Sequence, residues 1–183
     1  MSSIQHKLIA EAELHESKGV STATSDKVYV TNGLGSGSWS NRVTYGELFI
    51  TSGVTAQAIT TTTARLDPGT AWTAGNSLNT TLTAVDGTFT AVTTGTYSLN
   101  YGVSFTTDAV AAGTLYTCQF ALDGVVFSRS ISVQKVTAAA ERLNINGTGF
   151  STITAGQVVS IYIKSSIAST ITPVEANFSI RAL

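Results

Sequence analysis

The segment Gly95–Phe105, Gly-Thr-Tyr-Ser-Leu-Asn-Tyr-Gly-Val-Ser-Phe, constrains the fold most strongly. Tyr97, Leu99, Tyr101, Val103 and Phe105 fall on one side of an extended backbone, and Ser98, Asn100, Gly102 and Ser104 on the other. Strict alternation of this kind describes a strand with one buried and one polar face. It also excludes a helix, whose apolar positions recur every three to four residues. Similar runs continue to the C-terminus, so the larger part of the chain reads as an antiparallel sheet protein.

Composition agrees. Of the 183 residues, 43% are apolar, enough for a packed core. Only 11% are charged, against about 25% in an ordinary soluble domain. Threonine is the commonest residue, and its branched Cβ suits a pleated surface. Low charge with many hydroxyls points to surfaces that meet other protein surfaces. The net charge of −1 and the scattered Lys and Arg give no general attraction for nucleic acid. Cys118 is the single cysteine, so no intrachain disulfide forms; it falls on the apolar side of a strand, where a thiol packs as a small hydrophobe. Met1–Lys7 lacks the apolar core of a signal peptide, and no run has the roughly 20 apolar residues of a membrane helix. The expected setting is a reducing cytosol, with no membrane partner.

The chain changes character near Gly53. Residues 1–50 hold nine of the 21 charged side chains and the tract Asn32-Gly33-Leu34-Gly35-Ser36-Gly37-Ser38, which supplies turns rather than core. Short apolar pieces flank it, Val28-Tyr29-Val30 before and Trp39, Val43, Tyr45 and Leu48 after. Residues 1–53 are therefore expected to be an extended arm that gains order by docking, and 54–183 a folded head. Within the head, strands are expected over Val54–Leu66, Leu78–Val85, Phe89–Val92, Thr96–Phe105, Tyr116–Leu122, Val125–Val133, Leu143–Phe150, Val158–Ile163 and Ala176–Leu183. Asp67-Pro68-Gly69, Asp86-Gly87, Asp123-Gly124 and Asn146-Gly147 read as turns or interruptions, and Asp123-Gly124 between alternating runs is a strong hairpin signal. Both prolines are expected at strand margins.

Four pieces in order resemble the jelly roll shared by complement-type globular heads and tumour-necrosis-factor-like domains. They are Gly95–Tyr101, Phe120-Ala121-Leu122-Asp123-Gly124-Val125, Ile153–Ile161 and Phe178-Ser179-Ile180. The resemblance covers about residues 55–183 and implies an all-β, antiparallel jelly-roll sandwich with an N-terminal arm, assembling as a homotrimer. Val125-Val126-Phe127, Val158-Val159 and Ile161 offer bulk to both faces of their strands. Buried central strands do this, as do strands that line a subunit interface. Val126, Phe127, Val159, Ile161 and Phe178 are the expected trimer-interface residues.

The arm carries a second resemblance. Ala12–Val20, Val28-Tyr29-Val30 and Asn32–Trp39 are similar to the N-terminal anchors of head-decoration and head-fibre proteins of tailed bacteriophages, and to some tail-associated proteins, which often have proline where this chain has Ser17. This resemblance implies a non-enzymatic virion protein made in the host cytoplasm and held to the major capsid protein by its arm. Leu14, His15, Glu16, Lys18, Val20, Tyr29, Trp39 and Tyr45 are the expected anchoring residues. The alternative is a tail-fibre tip or receptor-binding module for a host-surface glycan or protein, with Trp72 as the leading contact.

Nothing in the chain carries a catalytic signature. His6 and His15, the two histidines, stand nine residues apart in the arm without metal-ligand spacing, so no metal or cofactor is expected. Gly33-Leu34-Gly35-Ser36-Gly37-Ser38 starts like a dinucleotide loop but has Ser38 at the third glycine position and no strand-to-helix setting. Asp67, Asp86, Asp108 and Asp123 sit mostly beside Gly, Pro or Thr at turns; a glycosidase pair would need two of them about 5–10 Å apart. Glu141-Arg142 reads as a surface or interface ion pair.

Overall fold

The computed structural model describes residues 27–31, 37–41, 43–51, 55–67, 72–108, 112–138 and 141–183. In chain order its strands are β1 Lys27–Thr31, β2 Gly37–Asn41, β3 Tyr45–Ile50, β4 Gln57–Ile59, β5 Ala64–Arg65, β6 Thr73–Leu78, β7 Thr80–Thr83, β8 Thr88–Ala91, β9 Gly95–Thr107, β10 Leu115–Leu122, β11 Val125–Val126, β12 Ser132–Lys135, β13 Arg142–Ile153, β14 Val158–Ser165 and β15 Ser169–Ala182. Among the described residues there is no α-helix; two short 3-10 turns, Ala84–Asp86 and Ser128–Ser130, complete the regular structure. The contacts divide the chain into Met1–Val43 and Thr44–Leu183.

The first unit contains an antiparallel ribbon of β1 and β2, with Tyr29 directly opposite Trp39. Their rings meet edge to face at 5.3 Å, the kind of cross-strand aromatic pair that holds a short hairpin in register. Residues 27–31 and 37–41, expected in an extended arm, are thus two paired antiparallel strands, and Gly37 opens a strand rather than a helix.

The second unit is a two-sheet sandwich. One sheet runs β13-β9-β15-β3-β6, with β4 also on β15. The other runs β11-β10-β14-β8-β7, with β12 also on β10 and β5 on β14. The apolar side of β9 holds throughout: Tyr97, Leu99, Tyr101, Val103 and Phe105 are all buried, and on the other side Ser104 is buried too, accepting from Arg142 Nε. Aromatic rings join the sheets, with Phe89 edge-on to Phe178 at 4.3 Å, Tyr101 to Phe120 at 4.9 Å and Phe105 to Tyr116 at 5.1 Å. Cys118 is fully buried among them, as its strand position requires. Trp72 Nε1 and Thr80 Oγ1 are buried without a hydrogen-bond partner, but the hydroxyls at the aromatic centre are satisfied. Tyr101 donates to the Cys118 carbonyl at 2.9 Å, and Tyr116 donates to Ser169 Oγ at 2.7 Å.

Four local expectations change. First, β3 is hydrogen-bonded to β15 from Arg181↔Tyr45 to Ala176↔Ile50, so the sandwich begins near Thr44 rather than 54. Leu48 and Ile50, read as pieces of the arm, are core residues. Secondly, β13 runs unbroken through Asn146-Gly147. Gly147 faces inward opposite Tyr101, and a Cβ there would overlap the Tyr101 ring; the glycine gives that ring room rather than making a turn. Thirdly, Pro173 lies inside β15. The ladder shifts register between Pro173 and Glu175, and neither β4, paired to Ile171, nor β3, paired from Ala176, asks for the missing N–H. Fourthly, Glu141 and Arg142 do not pair with each other: Arg142 reaches Ser104 Oγ at 2.7 Å and Glu175 at 2.9 Å. The Asp123-Gly124 hairpin holds, with φ of 49° and 81°, the left-handed pair its turn type needs.

Candidate binding surfaces

Of the expected anchoring residues, Leu14, His15, Glu16, Lys18 and Val20 lie outside the described residues, as does His6. Tyr29 and Trp39 pair in the ribbon, whose Val28 and Val30 are 38% and 50% exposed. Tyr45 belongs instead to the sandwich, on the outward side of β3.

Three of the five expected interface residues are committed elsewhere. Val159, Ile161 and Phe178 point into the sandwich, with at most 1% exposure, and are unable to meet another chain without unfolding this one. Bulk on both sides of β14 is real, but Ser160 is buried as well because β14 is flanked by β10 and β8. Val126 is partly exposed, and Phe127 packs partly against the core. Trp72 is 4% exposed, so it is a core residue and not a ligand contact.

The turn acids hold the fold. Asp67 and Asp86 both pair with Arg65, at 3.1 and 3.2 Å, so one guanidinium bridges the two carboxylates. Asp108 accepts the Thr170 N–H, and Asp123 accepts from Val158 N and Gln157 Nε2. Glu141 accepts from Thr137 N and Oγ1 and from Ala138 N, which holds its carboxyl below the usual range. Burial pushes the Tyr101 hydroxyl and the Cys118 thiol well above their ordinary values, so both are neutral structural groups.

What remains open is the outward face of the six-stranded sheet. Strand registers lay it out in rows. Phe150, Ser98, Arg181 and Tyr45 form a row at one end; then come Thr148, Asn100, Ser179 and Glu47, and next Asn146, Gly102, Asn177 and Phe49. Small polar side chains dominate, and Asn177 donates to Glu47 at 2.7 Å. Two concavities mark opposite ends. A shallow groove of about 440 Å³ runs over Ile50, Val103 and Ala176 between Asn144, Asn146 and Asn177. A cleft of about 530 Å³ opens between Phe150 on β13 and the Val126–Arg129 segment that follows β10. Along β13, Asn144 and Phe150 are about 20 Å apart. The signal for this face was present in the alternation of β9, but which strands would flank it was not.

No protein-family model matches the chain, and no curated protein matches it. Solved structures do. The Eiger TNF of S. frugiperda aligns with a TM-score of 0.52 at 8% identity, over 76% of this chain and 93% of that one. Murine APRIL at pH 5.0 gives 0.51 at 12%, over 77% and 99%. The globular domain of zebrafish complement 1qA gives 0.50 at 13%, over 76% and 96%. At such identities the likeness concerns backbone architecture alone, and the architecture is the jelly roll of tumour-necrosis-factor and complement-head domains.

Proposed function

We propose that the chain is a non-enzymatic virion protein, a homotrimeric capsid-decoration or head-fibre protein whose N-terminal unit holds the major capsid protein while its jelly roll projects. The observation that carries this is the ribbon of β1 and β2, which falls in a unit apart from the roll. Two paired strands bury little apolar area between them, and here Val28 and Val30 remain exposed beside the Tyr29–Trp39 pair. Such an element gains stability by lying on a larger body. The resemblance of residues 12–20, 28–30 and 32–39 to phage anchors supports the major capsid protein as that body. Threefold assembly is what the jelly-roll resemblance supports, and the groove between Asn144, Asn146 and Asn177 offers a surface for it. On the outward side of the other sheet, Leu115 and Val133 are 41% and 52% exposed and offer further apolar area for a second copy. Three arms on one trimer act together, so weak single contacts become firm attachment.

Deleting residues 1–43 tests the reading. The shortened chain is expected to remain a trimer by light scattering and to lose co-sedimentation with capsids. Continued capsid binding would overturn the anchoring role, and a monomer mass for the full chain would overturn the trimer.

A further inference from the structure

Among the described residues of the jelly roll two aromatic side chains are 36% exposed or more, and both stand on one row. Phe150 is 64% exposed and Tyr45 36%, whereas Phe89, Phe105, Phe120 and Phe178 are completely buried. The row reads Phe150, Ser98, Arg181, Tyr45 across β13, β9, β15 and β3. With strands about 4.8 Å apart, the two rings stand roughly 14 Å from each other, with Arg181 between them.

The charges in this region are also unusual. Among the described arginines, Arg65 holds two aspartates and Arg142 holds Glu175 and Ser104. Arg181 and Arg129 have no partner among the described residues. Arg129 lines the cleft beside Phe150, together with the hydroxyl-bearing Ser128, Ser151 and Thr152. In a chain this poor in charge, two free guanidiniums flanking an exposed ring are a specific arrangement rather than general surface polarity.

We propose that this row and its cleft bind a carboxylated glycan, the chain lying across the strands. Each guanidinium takes one sugar carboxylate, for which its planar fork is matched. Phe150 and Tyr45 offer flat faces for the C–H faces of sugar rings, and the serine and threonine hydroxyls exchange hydrogen bonds with sugar hydroxyls. Nucleic acid is disfavoured by the net charge of −1 and the absence of a wider basic stripe. An acidic peptide has no use for two separated ring platforms. The site lies at the opposite end of β13 from the groove assigned to self-association, so a trimer would present three sites and gain by multivalent attachment.

The test is binding of the full chain to immobilised hexaglucuronate and oligosialate. Controls are the carboxyl-reduced form of each, poly-glutamate and single-stranded DNA. At least one acidic glycan is expected to bind tenfold or more tightly than its reduced form and more tightly than either control polymer. Arg129→Gln, Arg181→Gln and Phe150→Ser should each weaken it about tenfold with the melting temperature unchanged. Arg181→Lys, which keeps charge but loses the fork, should weaken it measurably. Failure of both acidic glycans to exceed their reduced forms overturns the proposal. So does equal binding of poly-glutamate or DNA with Phe150→Ser silent, because bare charge would then explain the attraction. Neither result bears on the capsid anchor, which the arm deletion tests separately.

Discussion

Replacing Phe178 by alanine separates a core from an interface reading of the same residue. The side chain is completely buried on β15, with the Phe89 ring edge-on at 4.3 Å and the Phe120 ring at 5.7 Å. Phe89 and Phe120 come from the opposite sheet, so Phe178 is where the two layers grip each other. Phe→Ala at such a site costs about 3–5 kcal/mol, the removed area and the residual cavity together. The two ring pairs place it in the upper half of that range. For a folded unit of about 140 residues the unfolding entropy is roughly 0.3 kcal/mol per kelvin, so a loss of ~4 kcal/mol lowers the melting temperature by about 14 °C. Scanning calorimetry at two protein concentrations reads this directly. The expected shift is the same at both, because the lost contacts lie within one chain. A shift below about 5 °C, or one that disappears at high concentration as the oligomer re-forms, would refute the placement of Phe178 in the core.

Further outcomes follow from other buried contacts. Gly147→Ala puts a methyl group where the Tyr101 ring lies, and either the ring or β13 has to move; a loss of about 2–4 kcal/mol in denaturant unfolding is expected, against near neutrality if the strand yields freely. Alkaline pH should destabilise the fold. Cys118 and Tyr101 have folded-state values raised above their unfolded ones by burial, so they contribute stability that is complete below the unfolded values, near 8.5 and 10, and is lost as the unfolded chain ionises above them. Each group adds a slope of up to about 1.4 kcal/mol per pH unit, and Cys118→Ala should remove the part that begins near pH 8.5. A stability profile flat from pH 8 to 11 would contradict both burials. Glu141, with its carboxyl held low by three donors, should titrate below an ordinary glutamate in a side-chain NMR titration and move only part of the way back in Thr137→Ala, which removes the hydroxyl donor and leaves the two backbone N–H groups.

Local sequence was enough wherever one face of a strand meets core and the other meets solvent. The alternation of β9 placed its five apolar side chains, Tyr97 to Phe105, in the core, and Asp123-Gly124 made its turn, because both depend on neighbours one or two residues away. The same logic failed where a partner lies far along the chain. Asn146-Gly147 looks like a turn until Tyr101 is seen to need the space. Pro173 looks like a strand end until the gap between β4 and β3 is seen to tolerate it. Tyr45–Ile50 carries no mark distinguishing a sticky arm from a sheet strand; its place was decided by pairing with residues 176–181. Phe150, Arg181 and Tyr45 are likewise unremarkable in sequence, separated by long stretches of chain, and become one row through the order β13-β9-β15-β3. The amino-acid order by itself determined that this chain forms pleated strands with a wet and a dry side, since side-chain direction in a strand is a property of adjacent peptides. Which strands lie next to each other, and therefore which exposed groups form a surface, was decided only by the packing of two sheets around a shared aromatic core.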